Sequence, residues 1–253
     1  VSANLFEFLG LNDQLSSILP VLGNGGGSSA SGGMTFTGTS MIQFLQGFFG
    51  NGGSVGALFS VIEQLKKAGF KDPANDKATF NDYKKIIKTD AISELLGVYY
   101  NASKTKEGYE YGFIEVKSSL FKGRADGGKM LISPKNISNV LDYFFTIGHE
   151  MNHSIMGYFR NTFYETINST PNSPTARSAF DYFGEYNSYS WEQRLGNPDV
   201  SDAWKVTYSK HGPGLKIQDL YIGYPQQSID VVKNNLIRLE RAWSVFYNNN
   251  LKK

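Results

Sequence analysis

The chain of 253 residues contains no cysteine. This absence excludes disulfide scaffolds, thiolate nucleophiles, CxxC redox motifs and cysteine-based zinc sites. A charge excess is also lacking, because 25 basic residues stand against 23 acidic ones and leave a formal net charge of +2. A dedicated nucleic-acid-binding protein carries a strong basic excess, so no nucleic-acid partner is expected. No apolar run in the sequence reaches the roughly 18 residues that span a bilayer.

Glycine is abundant, with 27 residues, and it is concentrated near the start of the chain. Residues 1–53 combine short apolar stretches with a Gly- and Ser-rich run at 23–33. We interpret them as a low-complexity leader with short apolar helices, which serves as a linker to a neighbouring domain. The alternative is a membrane-active or translocation segment, and this leader is the only region for which membrane contact is considered.

Residues 54–253 have the composition of an ordinary globular domain, and their hydrophobic periodicity predicts an α+β fold that is mainly helical with a small sheet. Helices are predicted at 55–67, 81–98, 137–167, 176–195 and 229–247. Strands are predicted at 107–116 and 129–133, a turn at 123–128, and a loop at 212–214.

The strongest motif is HExxH, formed by His149, Glu150 and His153 within the predicted helix 137–167. Two of the three histidines of the chain stand here. Residues i and i+4 share one face of an α-helix, so the two imidazoles can bind one metal ion at about 2.0–2.1 Å each. Glu150 points to the adjacent side, where it can hold a metal-bound water and take its proton.

An apolar stripe predicts that this helix is half-buried, with both histidines at the edge of the core. Gly148 and Gly157 are expected to allow close backbone approach on either side of the motif. The stripe consists of Ile137, Leu141, Phe144, Gly148, Met151 and Ile155.

Two histidines do not complete a catalytic zinc site, which usually has three protein ligands and a water. The metzincin pattern needs Gly three residues and His six residues after the second histidine, and Met156 and Phe159 occupy those positions. A carboxylate from the segment 183–192 is therefore expected, and Glu185 stands 32 residues after His153. Three rivals for the third ligand remain open: Glu192, Asp181 and His211.

HExxH followed by a helix with Glu-x-x-Ser resembles the gluzincin metallopeptidases over about residues 129–195. The resemblance implies a zincin-like domain in which His149, His153 and Glu185 bind Zn²⁺ and Glu150 is the general base of peptide-bond hydrolysis. It also implies that the strand just before the motif helix lies along the cleft and pairs with the substrate backbone.

One position departs from that family. Tyr189 stands where thermolysin-like members have an Asp that steadies a ligand histidine. Asp142, seven residues before His149 on a similar helix face, is expected to serve instead.

Peptide hydrolysis also needs a hydrogen-bond donor for the oxyanion of the tetrahedral intermediate. His211 is the predicted catalytic donor because it stands beside a Gly-Pro-Gly loop that could carry it over a cleft. Four tyrosines are further candidates: Tyr189, Tyr208, Tyr221 and Tyr224.

The organisation of the chain resembles the C-terminal toxin domains of RHS-type and other polymorphic bacterial toxins. A cysteine-free, metallopeptidase-like domain follows a Gly-rich leader, in a chain that does not begin with Met. This resemblance implies bacterial origin, secretion or delivery into a target cell, a protein or peptide substrate, and an immunity or carrier partner. The alternatives are a non-enzymatic binding or membrane-acting module with an inert metal site, and metal-dependent hydrolysis of a non-peptide substrate.

Overall fold

A computed structural model describes residues 53–103, 111–167, 169–170, 172, 174–211 and 239–251. The predicted leader up to residue 52, the predicted loop at 212–214 and most of the predicted helix 229–247 lie outside these ranges. The described residues form an α+β structure that is mostly helical with one small mixed sheet. None of the described helices has both the length and the apolar character needed to cross a membrane.

The described part of the chain contains seven α-helices named here. They are α1 (Gly53–Lys67), α2 (Tyr83–Ile86), α3 (Asp90–Ser103), α4 (Val140–Met156), α5 (Arg160–Thr166), α6 (Pro174–Arg194) and α7 (Ala203–His211). Short 3-10 turns stand at Phe80–Asp82, Pro134–Asn136 and Gly157–Phe159, and residues 239–246 form a further helical segment that continues into a π-helical turn at Tyr247–Leu251.

The sheet has three strands, β1 (Gly112–Glu115), β2 (Gly123–Asp126) and β3 (Lys129–Ile132). β3 lies in the middle, parallel to β1 and antiparallel to β2. The strand predicted at 129–133 is confirmed as β3, but both of its edges are already paired. The expectation that this strand pairs with a substrate backbone is therefore wrong, and the edge strand that contacts α4 is β2.

The turn predicted at 123–128 is wrong for its first four residues, which form β2. Only Gly127 and Gly128 make the turn, with φ of 56° and 57°. This left-handed conformation is one that glycine adopts without steric cost.

Two predicted helices are confirmed, 55–67 as α1 and 176–195 as α6, while two others are divided. The stretch 81–98 breaks between α2 and α3, because the Thr89 hydroxyl donates to the Ile86 carbonyl at 2.7 Å and a turn replaces the helix there. The stretch 137–167 becomes α4, a 3-10 turn and α5.

The motif helix α4 packs against α3, α6 and β2. It begins at an N-cap, where the Asn139 side chain accepts a hydrogen bond from the Asp142 amide at 2.8 Å. The predicted apolar stripe is confirmed, and its members with side chains are at most 5% exposed. Burying this stripe leaves His149 and His153 at the edge of the core, as the periodicity predicts.

Gly148 and Gly157 behave differently. A Cβ atom on Gly148 would lie 2.0 Å from the Trp191 ring, which confirms the predicted close approach to α6. A Cβ atom on Gly157 would meet nothing within 4 Å, so the close approach predicted there is wrong.

Candidate metal site

Helices α4 and α6 bring two histidines and one carboxylate together. His149 Nε2 lies 3.3 Å from Glu185 Oε2, and His153 Nε2 lies 3.4 Å from Glu185 Oε1. The two Nε2 atoms are 3.2 Å apart. The ligand atoms of these three residues all lie within 4.8 Å of one another. Among the described residues, this is the group of side chains that could hold a metal ion.

Gly184 controls how closely the two helices approach at this point. A Cβ atom on Gly184 would lie 3.1 Å from His153 Nδ1, which is tighter than ordinary van der Waals contact. The missing side chain therefore lets the His153 ring lie against α6, directly beside Glu185.

Glu192, one of the rivals for the third ligand, has a different position. His149 Nδ1 donates to Glu192 Oε1 at 2.6 Å, on the opposite side of the ring from Glu185. Glu192 is 6% exposed, and the Asn197 side-chain amide donates to its other oxygen. A carboxylate on the second ring nitrogen of a metal-binding histidine fixes the ring tautomer and orientation. Glu192 is thus placed to orient His149, with Nε2 turned toward Glu185.

The supporting role expected for Asp142 is therefore wrong. Asp142 forms an ion pair with Lys122 at 2.8 Å and accepts from the Ser138 amide at 2.8 Å, in the first turn of α4. Tyr189 packs its ring edge-on against the His149 ring, with centroids 4.8 Å apart. The carboxylate that holds His149 is instead Glu192, whose position in the sequence is seven residues after Glu185 and so on the same face of α6.

The other two rivals lie outside the three-residue group. Asp181 lines the neighbouring cleft; burial raises its pKa, and Arg160 opposes that rise. His211 is the last residue of α7, and its Nε2 atom lies 3.3 Å from Glu185 Oε2. The structure therefore brings His211, which is 30% exposed, to the edge of the site.

Two of the four tyrosines proposed as oxyanion donors, Tyr189 and Tyr208, belong to the described residues. Tyr189 is 7% exposed, and burial and the nearby Glu185 raise the pKa of its hydroxyl. Tyr208 is 39% exposed and packs against Trp204. Tyr221 and Tyr224 lie outside the described residues.

Glu150 points away from α6 and toward the edge strand. Its Oε2 atom accepts a hydrogen bond from the Ala125 amide of β2 at 2.8 Å. A Cβ atom on Gly123 would lie 2.9 Å from Glu150 Cγ and 2.8 Å from Thr146 Cγ2. Gly123 is thus required for the close approach of β2 to α4. The prediction of a turn at 123–128 does not include this role.

The charges of the site are strongly coupled. Burial lowers the pKa of His149, but hydrogen bonds to Glu185 and Glu192 outweigh this effect and raise it to about 10. Burial raises the pKa of Glu185, but hydrogen bonds from His149 and His153 outweigh it and hold the pKa far below the usual range. In the metal-free protein, an imidazolium at His149 therefore lies between two carboxylates at neutral pH.

The group opens on one side into a cleft of about 700 Å³. Glu150, His153 and Glu185 line it, together with β2 and the turn that follows β2. The candidate general base Glu150 and two candidate metal ligands therefore face the same space, which is large enough for part of a peptide chain.

Comparison with protein-family models, with curated proteins and with solved structures found no match. The resemblance to gluzincins thus stays a prediction from the motif. The function proposed below is inferred from the geometry and chemistry of this site.

Proposed function

We propose that the chain is a zinc-dependent metallopeptidase that hydrolyses peptide bonds. The observation that carries this proposal is the meeting of His149, His153 and Glu185 within 4.8 Å, beside a cleft that Glu150 also faces. Secretion or delivery into a target cell, and an immunity or carrier partner, stay predictions from the organisation of the sequence.

The residues present fit zinc. Two imidazole nitrogens and one carboxylate form the donor set of many catalytic zinc sites, and three protein ligands leave one position for water or substrate. The contact between His149 Nδ1 and Glu192 adds the supporting carboxylate that metal-binding histidines usually have. When bound, zinc would polarise the scissile carbonyl and lower the pKa of the attacking water.

Glu150 is the proposed general base. Its carboxylate faces the cleft, so it can take the proton of the attacking water and deliver it to the leaving amine. The hydrogen bond from the Ala125 amide holds the carboxylate at the edge of β2. A carboxylate held by one hydrogen bond can still turn toward a water bound between α4 and the substrate.

His211 is the proposed donor to the oxyanion that develops on the scissile carbonyl. Its Nε2 atom already lies 3.3 Å from Glu185 Oε2, so the ring reaches the edge of the ligand group. A donor that is in place before the reaction stabilises the developing charge without reorganisation. This role predicts that His211→Ala lowers kcat more than it raises KM.

The test combines metal content with peptide cleavage. Mass spectrometry of the purified protein should find about one zinc per chain, and His149→Ala and Glu185→Ala should each lose it. Glu150→Gln should keep the zinc and lose about 10²–10⁴-fold in the cleavage rate of an unfolded protein such as casein. A wild-type protein without zinc after reconstitution, or a zinc-loaded Glu150→Gln protein with full activity, would falsify the proposal and favour the inert-site alternative.

A further inference from the structure

Two arginines, Arg124 and Arg160, line the cleft together with the candidate ligands. Arg160 is the first residue of α5, and the 3-10 turn after α4 carries it to the cleft. Its guanidinium carbon lies 5.1 Å from the centroid of the Phe180 ring, which lines the same cleft. Tyr99 and Tyr158 also line it. A guanidinium that stacks on an aromatic face keeps the N–H groups on its edge available for a ligand.

The Arg160 guanidinium has no ion-pair partner in the part of the chain that the structure describes. Among the described residues, no carboxylate oxygen lies within 4.0 Å of its guanidinium, and no hydrogen bond from its side chain is formed. Some other cations of the described residues do form ion pairs, such as Lys122 with Asp142 at 2.8 Å, Lys129 with Asp126 at 3.5 Å, and Arg194 with Glu240 at 3.6 Å.

The charge of Arg160 affects the pKa of the Asp181 carboxyl group. Burial raises the pKa of Asp181, and the field of the guanidinium opposes that rise. The two side chains therefore influence each other across the cleft wall without a direct ion pair. The attraction of Asp181 can keep the Arg160 guanidinium in the cleft, while the N–H groups of the guanidinium stay available to a ligand.

The distance from Arg160 to the ligands limits which part of a substrate could reach it. Phe180, which supports the guanidinium, precedes Glu185 by five residues on α6 and so lies about 7.5 Å from it along the helix axis. An extended peptide advances about 3.3–3.4 Å per residue. The axial separation alone therefore corresponds to about two residues of an extended peptide. The guanidinium lies a further 5.1 Å from the Phe180 ring, so we take a group that meets Arg160 to belong to a residue two or three positions from the scissile bond.

We propose that Arg160 selects substrates with a carboxylate two or three residues from the scissile bond. This inference rests on the proposed function and names the substrate class of the same site. The carboxylate is an Asp or Glu side chain or the free C-terminus of the substrate, because either can accept two parallel hydrogen bonds from one guanidinium. The rings of Tyr99, Tyr158 and Phe180, which line the cleft, would then contact the aliphatic part of that residue.

The test measures selection without cleavage. Zinc-loaded Glu150→Gln protein is immobilised and exposed to two libraries of random, acetylated decapeptides, one with amidated C-termini and one with free C-termini. We expect the retained amidated peptides to be about tenfold enriched in Asp and Glu, as a charge-assisted hydrogen-bonded pair allows. Retention of only the free-acid library, again dependent on Arg160, would identify the C-terminal carboxylate as the ligand.

Second substitutions in the Glu150→Gln protein identify the residue responsible. Arg160→Gln should abolish the enrichment, and Arg160→Lys should restore only part of it, since an ammonium cannot form the bidentate pair. Arg177→Gln is the matched control, because this exposed arginine of α6 does not line the cleft and should leave the enrichment unchanged. Equal retention with and without Arg160 overturns the inference. So does a result with neither enrichment in Asp and Glu nor preferential retention of the free-acid library.

Wild-type protein digesting the same libraries separates the two proposals. Cleaved products should carry an acidic residue or the C-terminus two or three positions from the cut. A lack of cleavage overturns the proposed function, while the selection by the Glu150→Gln protein still decides the role of Arg160. Cleavage that depends neither on acidic residues nor on the distance to the C-terminus overturns the role of Arg160 and leaves the proposed function in place.

Discussion

The two sides of the motif helix α4 differ in how tightly they are packed. Toward α6, the Trp191 ring fills the space left by Gly148, and Glu185 and Glu192 contact the two ring nitrogens of His149. Toward β2, the Glu150 carboxylate accepts one hydrogen bond from the described residues, that of the Ala125 amide, and the cleft lies beside it.

This difference matches the needs of the proposed chemistry. Metal ligands must be held in one geometry, which requires buried neighbours and, for a histidine, a hydrogen bond on the ring nitrogen that does not bind the metal. A general base must exchange protons with water and substrate, which requires an open side. Substitutions on the α6 side should therefore change stability or zinc affinity. A substitution on the β2 side should change the cleavage rate.

The largest expected effect is on the stability of the metal-free protein. The pKa of His149 is raised from 6.5 to about 10 in the folded state, so the folded protein binds this proton more tightly than the unfolded chain. The contribution of this proton to the free energy of unfolding is complete below the pKa of His149 in the unfolded chain. It is lost as pH rises toward 10. Stability should fall by up to about 1.4 kcal/mol per pH unit across this range.

Urea unfolding of chelator-treated protein from about pH 6.5 to 10 measures this slope. His149→Gln should flatten it, because the substituted side chain binds no proton. Glu185 acts in the opposite direction, since its lowered pKa gives stability that is lost as pH falls below the ordinary carboxyl value. A wild-type slope equal to that of His149→Gln would contradict the coupling on the α6 side.

The second prediction concerns the packing of Gly148. Gly148→Ala places a methyl group 2.0 Å from the Trp191 ring, so the two helices must separate. We expect a loss of about 1–3 kcal/mol in the free energy of unfolding, measured with urea. Gly157→Ala is the matched control, because its Cβ meets nothing within 4 Å and should leave stability within about 0.5 kcal/mol. Equal effects of the two substitutions would argue against a tightly packed α6 side.

The sequence predicts the α6 side well, because its signals are local. The HExxH spacing places His149 and His153 on one face, and the apolar stripe decides which face of α4 is buried. Glu185 is expected from a family resemblance, and the structure places it beside both histidines. Glu192 is considered only as a ligand, although its spacing from Glu185 already places both carboxylates on one face of α6.

The β2 side is predicted poorly, because its signals are not local. The glycines of 123–128 have the composition of a turn, and the sequence does not distinguish a turn glycine from one that lets a strand approach a helix. Gly123 belongs to the second kind, as its clash with Glu150 indicates. The pairing of β2 with β3 is local, since only Gly127 and Gly128 join them, but the parallel pairing of β1 with β3 joins residues 17 positions apart, such as Gly112 and Lys129. The sequence does not show that pairing, so β3 is assigned to the edge that β2 occupies.

The third prediction concerns the support of His149. Glu192→Gln keeps the size of the side chain but removes the charge that holds His149 Nδ1. Zinc affinity should fall by about 10–100-fold, as measured by competition with a chelating dye. Glu165→Gln, an exposed glutamate of α5, is the control and should change nothing. Unchanged zinc affinity in Glu192→Gln would mean that this carboxylate does not orient the ligand.

The smallest expected effect is on the β2 side. Gly123→Ala brings a methyl group within 2.9 Å of Glu150 Cγ and 2.8 Å of Thr146 Cγ2, and both atoms belong to side chains that can move. The ligands are untouched, so zinc content should stay the same while the cleavage rate falls roughly tenfold, within the range that a general base contributes. Adding Thr146→Ser removes one of the two clashes and leaves the one at Glu150. If the double variant regains full activity, the contact of the new methyl group with Thr146 caused the loss, and Glu150 was not displaced. If the cleavage rate stays low, the contact of the methyl group with Glu150 caused the loss.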